Sequence, residues 1–161
     1  MAKVAEQAEL LWTWARLEAL SPLDVYDLLA LRSEVFVVEQ TCVFQDADGV
    51  DKQAHHLLGR DAQGCLQAVL RIVDPGVKYP EPSIGRVISA PAVRRAGVGR
   101  ELMLQGLLQC ANLWPGHGVR ISAQARLQRF YESFGFKAAS EPYLEDDIPH
   151  LEMLLEPEHA R

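Results

Sequence analysis

The segment Arg94-Arg95-Ala96-Gly97-Val98-Gly99 constrains the fold more than any other stretch of the chain. It stands between a strand-like run, Ser83 to Ser89, and a helical run, Val98 to Leu113. Glycines at a helix start leave backbone N–H groups uncovered, and with the helix dipole those groups make an anion pocket. Arg94, Arg95 and Arg100 add positive charge at the same place. A P-loop would need G-x-x-x-x-G-K-[ST], which is absent. A dinucleotide fingerprint would need a small residue where Leu102 stands, and an early βαβ unit. What remains is a phosphate or pyrophosphate cradle after a strand meander, or an ordinary glycine-rich connection with solvated arginines.

The flanking periodicity supplies the elements. Residues 11–17 alternate as a strand. Ser21-Pro22 starts a helix that runs to about Arg32, with Leu23, Tyr26, Leu29 and Ala30 at helical spacing. Ser33 to Glu39 reads as a second helical piece, and Thr41 to Gln53 as an acidic loop. Strands follow at 54–59, 65–73 and 83–89. The helix from Val98 carries Leu104, Leu107, Leu108 and Ala111 as its stripe. A strand at 119–124 precedes a helix with Leu127, Phe130, Tyr131 and Phe134, stopped by Gly135. Strands at 136–140 and 150–156 complete the order. This order predicts an α/β (α+β) fold with a mixed, mainly antiparallel sheet flanked by helices on both faces. A single domain over 1–161, with its core at about 11–156, is expected. The chain's 161 residues, 48% apolar, suffice for such a core.

Charge and cysteines exclude several classes. The 16 basic and 22 acidic side chains give a net charge of -6, which argues against nucleic-acid binding by bulk charge. No run approaches the roughly 18 apolar residues of a membrane helix. Glu6 and Glu9 stand where a signal peptide would be basic and then apolar. Cys42, Cys65 and Cys110 form no C-x-x-C pair and suit a reducing, cytoplasmic setting. No metal site is expected: zinc spacing is missing, and Asp46, Asp48 and Asp51 depart from a calcium loop at Val50 and Leu57.

The R-x-x-G-x-G of Arg94 to Gly99 resembles the acetyl-coenzyme A signature of the GNAT acyltransferases. Phe130-Tyr131-Glu132-Ser133-Phe134-Gly135-Phe136 is similar to the closing F-Y-x-x-x-G-F motif of that superfamily. Leu31 to Gln40, Asp46-x-Asp48-Gly49, Ala54-His55-His56-Leu57 and Ile148-Pro149-His150 resemble its ElaA-like branch. The resemblance spans Leu11 to Leu155. It implies an N-acetyltransferase that moves an acetyl group from acetyl-CoA, its co-substrate, to a primary amine of a small molecule, peptide or protein in a direct ternary complex. It implies that the backbone of Val87, Ile88 and Ser89 pairs with the pantetheine arm. Arg94 and the amides of Arg95, Ala96, Gly97, Val98, Gly99 and Arg100 would bind the pyrophosphate. Gln124 stands where many relatives carry a pantetheine-binding asparagine. Tyr131 is placed as general acid for the departing thiolate; a phenol of pKa about 10 can protonate a thiolate of about 8.5. Many relatives have glycine at Arg95, so an L-residue there is expected to need a negative φ.

The acceptor side is less determined. Glu39 and His150 are the candidates for general base, with His55 or His56 as a further one and a water chain as the alternative. The acids at 46–51 and 145–147 would make the amine entry attractive to a cationic acceptor. A strand-mediated homodimer is compatible with the sequence but not required by it. Two other functions fit the same residues. One is a coenzyme A-binding regulatory module without turnover. The other is an acyl-homoserine-lactone-synthase-like acyltransferase, suggested by the R-x-x-V-F-V of Arg32 to Val37.

Overall fold

In the computed structural model, which describes residues 9–157, two antiparallel sheets meet along one seam. The first is a meander of β1 (Leu11–Arg16), β2 (Ala54–Arg60), β3 (Leu66–Val73) and β4 (Ser83–Ser89), in that order. The second has β5 (Val119–Gln124) beside β8 (Ile148–Leu155), which also pairs β6 (Lys137–Ala138) and β7 (Tyr143–Glu145). Strand β7, rich in polar groups and only three residues long, escapes a search for alternating runs. The Arg120 amide donates to the Pro82 carbonyl at 3.1 Å, joining the sheets at the start of the seam. Beyond it β4 pairs only with β3 and β5 only with β8, so the seam opens into a cleft.

Helices cover both faces of the first sheet. Helix α1 (Pro22–Arg32) starts with the Ser21 hydroxyl accepting from the Asp24 amide at 3.1 Å and with Pro22 in its first turn. It runs on without a break into π-helical turns over Ser33–Glu39, where Gln40 N–H donates to Val35 O and Cys42 N–H to Val37 O. Helix α2 (Val98–Leu113) lies on the opposite face. Neighbouring strand residues point to opposite faces. Leu70 meets α2, whereas Arg71 meets the aspartates that hold α1. Helix α3 (Gln128–Glu132) ends through Gly135 at φ +100°.

The buried helix faces differ from the leucine stripes that mark the helices in the sequence. In α1, Leu23 and Tyr26 are exposed, and the core side is Leu28, Leu31 and Arg32. In α2, Leu104 and Leu108 are exposed, and Val98, Leu102, Met103, Gly106 and Cys110 are buried. The reason in α2 is a close approach. A Cβ on Gly106 would sit 2.9 Å from Leu70 Cδ2 and 3.3 Å from Ile84 Cδ1. Glycine is what lets the helix reach the sheet, and it carries no weight in an apolar pattern. In α1 the reason is a charge at the centre of the buried face.

Arg32 is fully buried, and every one of its nitrogens is bound. Its Nε donates to Asp46 Oδ2 at 2.8 Å, its Nη1 to Asp51 Oδ1 at 2.7 Å, and its Nη2 to the Asp46 carbonyl and Asp51 Oδ2. Arg71 binds Asp48 through both terminal nitrogens, at 2.9 and 2.8 Å, and reaches Asp51 at 3.1 Å. Arg86 Nε lies 2.8 Å from Asp46 Oδ1. Three guanidinium groups are thereby matched by three carboxylates. Burial alone would raise the pKa values of Asp48 and Asp51, but hydrogen bonds and charge from Arg71 and Arg32 hold both below the ordinary carboxylate range. This corrects the expectation that Asp46, Asp48 and Asp51 line an amine entry, because all three face inward to arginines. His56 sits beneath the cluster, its Nε2 3.4 Å from the Asp51 carbonyl. Burial pushes its pKa down to about 4; Asp51 opposes that shift, and Arg32 and Arg71 reinforce it.

Two outcomes follow from this cluster. Arg32→Met should lower stability by about 3–5 kcal/mol in urea titration, because it strands buried carboxylates. His56 is held neutral in the fold, while the unfolded chain takes up a proton below its ordinary 6.5. Stability contributed by His56 should therefore fall as pH drops from about 6.5 to about 4. Melting temperatures of His56→Gln should be flatter than wild type across that window.

Candidate active site

The cleft between β4 and β5 encloses about 120 Å³, walled by residues 83–87 of one strand and by Ile121, Ser122 and Gln124 of the other. Strand β5 alternates Val119, Ile121 and Ala123 inward with the half-buried Arg120, Ser122 and Gln124. Of those polar residues, Ser122 and Gln124 are cleft wall. Strand β4 bends through a register shift opposite Val69–Arg71, with Arg86 at φ +50°. Such a bulge re-aims side chains and ends pairing. It leaves Ile88 and Ser89 paired with β3 on one edge, Val87 outside the register, and no strand on the other edge.

The glycine segment follows the end of β4 in the chain. After a 3₁₀ turn at Pro91–Val93, the chain takes positive φ at Arg95 (+70°) and Gly97 (+76°) before α2 begins. The expectation of a negative φ at Arg95 is thus corrected; alternating left-handed residues turn successive amides to one side, as in an anion nest. Nothing lies within 4 Å of a Cβ built on Gly97. The Ala96 amide donates back to the Val93 carbonyl at 3.3 Å, and the amides that open the first turn of the 16-residue helix have no partner within it. Two arginines are directed elsewhere. Arg94 Nε donates to the Ser89 carbonyl at 3.1 Å, and its terminal nitrogens grip Glu39, one of them at 2.8 Å. Arg100 lies over the Phe134 ring, 4.7 Å from its centroid, and donates to Ser133 Oγ.

The candidate proton-handling groups fall in different places. Tyr131 is buried on α3 and lines the cleft, packed edge-on against Phe130 and Phe136. Burial pushes its pKa up to about 12, so it stays protonated through neutral pH. His150 lies beside Gln124 because β5 and β8 pair those two residues. Its Nδ1 donates to the Ile148 carbonyl at 2.7 Å, since a carbonyl only accepts. Its Nε2 faces Glu145 Oε2 at 3.3 Å. Ser122 Oγ joins the Tyr143 hydroxyl and lies 3.4 Å from Glu145 Oε2. Glu39, by contrast, is an exposed carboxylate at the end of the π-helical turns. Its hydrogen bond from Arg94 lowers its pKa, which weakens it as a base. His55 stacks on Trp14 and touches Trp114 edge-on, and His56 serves the arginine cluster. Neither lines the cleft. Sequence reasoning passed over Phe36, Lys78, Arg86, Ser122 and Tyr143 as cleft residues. Only the polar positions of a central strand, Ser122 among them, could have signalled it.

A larger hollow of about 650 Å³ lies between α1 and the loop that follows it, walled by Val25, Leu28, Leu29 and Ala47. Its acids, Asp48 and Asp51, are held by Arg71 and Arg32. Among the described residues there is no metal-binding cluster, and no helix is long and apolar enough to cross a membrane.

Comparison with known proteins agrees with this geometry. A family model described as an acetyltransferase (GNAT) domain matches residues 36–157. Protein ElaA of Escherichia coli is 45% identical over 139 residues, covering 85% of this chain and 90% of its own. The crystal structure of an acyl-CoA N-acyltransferase from Pseudomonas aeruginosa superposes with a TM-score of 0.87 at 44% identity, covering 91% of this chain and 99% of that one. The AHL synthase LasI shares the fold, with a TM-score of 0.75 at 13% identity over 93% of this chain and 91% of its own.

Proposed function

Because the chain belongs to the GNAT acetyltransferase family, we propose that it is an N-acetyltransferase that moves an acetyl group from acetyl-coenzyme A directly to a primary amine in the β4–β5 cleft. The observation that carries this reading is the junction of an open amide cradle with a cleft holding both a buried phenol and a carboxylate–imidazole pair. The residues fit the co-substrate. The free space over Gly97 suits a pyrophosphate, and the one-sided edge of Val87, Ile88 and Ser89 suits the amides of a pantetheine arm. Gln124 is steadied by Arg126 and Gln40, with its amide available to the same arm. Acetyl-coenzyme A supplies the activated acyl group as a thioester.

The chain's own residues handle the protons. An amine must lose a proton to attack, and His150 with Glu145 is the proton acceptor in reach of the cleft. With Nδ1 committed to Ile148, the Nε2–Glu145 contact is completed by one shared proton, which the pair takes from the amine. The new N–C bond forms as the thioester C–S bond breaks; the sulfur takes its proton from the Tyr131 hydroxyl, and the second proton that the nitrogen sheds on becoming an amide restores that hydroxyl. Tyr131 makes no hydrogen bond to other described residues, so its proton is not engaged elsewhere. Arg94 and Glu39 hold the cradle to the end of the π-helical turns and are positioning residues in this scheme. The free cysteines suit a reducing compartment, and the activity is assigned to the cytoplasm.

Acetyl-coenzyme A should raise the melting temperature of the protein by mass action. Gly97→Glu should abolish that shift, because it puts a β-carbon at φ +76° and a negative charge in the cradle. Tyr131→Phe should keep the shift but lower kcat about a hundredfold or more in a thiol-release assay over an amine panel. An unchanged kcat would make Tyr131 a packing residue. Turnover of acyl-carrier thioesters in preference to acetyl-coenzyme A would favour the lactone-synthase-like alternative.

A further inference from the structure

Outside the arginine cluster, the cleft presents two opposite charges, Lys78 and Glu145. Arg71 and Arg86 reach its wall, but their charges are met by Asp48, Asp51 and Asp46. Glu145 faces His150. Lys78 is left over. It stands on the loop between β3 and β4, an exposed residue whose ammonium end reaches the cleft. Among the described residues it makes no salt bridge and no side-chain hydrogen bond, and its polar contact is the face of the Tyr79 ring, 5.9 Å from Nζ to centroid. Burial holds its pKa below that of a free lysine; repulsion from Arg71 and Arg86 adds to the effect, and attraction from Glu145 and Asp48 opposes it. Arg71 and Arg86 act on this ammonium as like charges, and an anion in the cleft would relieve that repulsion.

We propose that the acceptor is a small amine that also carries a carboxylate, its anion seated on the Lys78 ammonium and its amine beside Glu145 and His150. This inference rests on the acetyl-transfer reading and narrows its substrate. Both charges of such a zwitterion find an opposite charge in one cavity. A polyamine would add positive charge next to Lys78, Arg71 and Arg86. Among the loop acids that would have drawn a polycation, Asp46, Asp48 and Asp51 are taken up by the arginine cluster. The cleft is also small, about 120 Å³ with an adjoining space of about 60 Å³, against about 300–1,000 Å³ for drug-sized ligand pockets. An acceptor of amino-acid size suits that space.

Thiol release from acetyl-coenzyme A should be followed with glycine against glycinamide, β-alanine against propylamine, and with spermidine. In the wild type, each carboxylate-bearing amine should show a kcat/KM at least about tenfold above its neutral partner, the size expected for a charge-assisted hydrogen bond. Lys78→Met should bring that ratio close to one while keeping the acetyl-coenzyme A melting shift. Lys78→Arg should keep the ratio above one. Equal or better turnover of the neutral partners or of spermidine overturns the inference and leaves acetyl transfer standing. So does a ratio that Lys78→Met fails to change. Absence of thiol release with every amine, while acetyl-coenzyme A still binds, overturns the transfer reading, and this inference falls with it.

Discussion

A guanidinium with no exposed surface, that of Arg32, sits where three parts of the chain must agree. Its helix, the loop carrying Asp46 to Asp51, and the meander through Arg71 and Arg86 share one set of ion pairs. Each charge would be prohibitive in that place alone, and the group is tolerable only as a complete set. Such a set specifies position more sharply than apolar packing, because a shift of an ångström breaks several short bonds together. The cleft inherits that definition. Arg86 is both the last member of the cluster and a wall residue, and its guanidinium packs over the rings of Phe36 and Phe44.

The site itself comes from interrupted regularity. A continuous sheet would have paired β4 with β5 and closed the gap. The register shift in β4 and the positive φ of Arg86 end that pairing and leave the strand edge without a partner strand. The same device recurs on the donor side, where Arg95 and Gly97 turn amides outward ahead of α2. Left-handed conformations at non-glycine residues carry a cost, and they collect where the chain serves chemistry rather than packing. Arg95 is one such residue, and its neighbours Arg94 and Val93 anchor the turn from either side of the backbone.

The formal charge of -6 hides how the acids are used. Loop carboxylates that look available in the sequence are committed to buried arginines, and Glu39 is committed to Arg94. Glu145 alone among the acids of the cleft walls stays beside a proton carrier. In the proposed reaction, acceptor binding would be governed by Lys78 and a single carboxylate–imidazole pair, not by the net charge of the surface.

The element order, the antiparallel α/β class and the glycine cradle were legible in the sequence, because strand and helix periods and turn residues are local properties. The motif of Arg94 to Gly99 and the aromatic run from Phe130 to Phe136 carried the family resemblance for the same reason. The buried faces of α1 and α2 were not legible. Arg32 is apolar by no scale and Gly106 by hardly any, yet one is neutralised by residues far along the chain and the other admits Leu70 and Ile84. Nor could the sequence say which acids are free. Asp46 and Glu145 are equivalent as letters, and only the tertiary structure places one against Arg86 and the other against His150. Local propensity is set by a residue and its near neighbours. The protonation, pairing and exposure that decide chemistry depend on distances between residues that only the folded chain brings together.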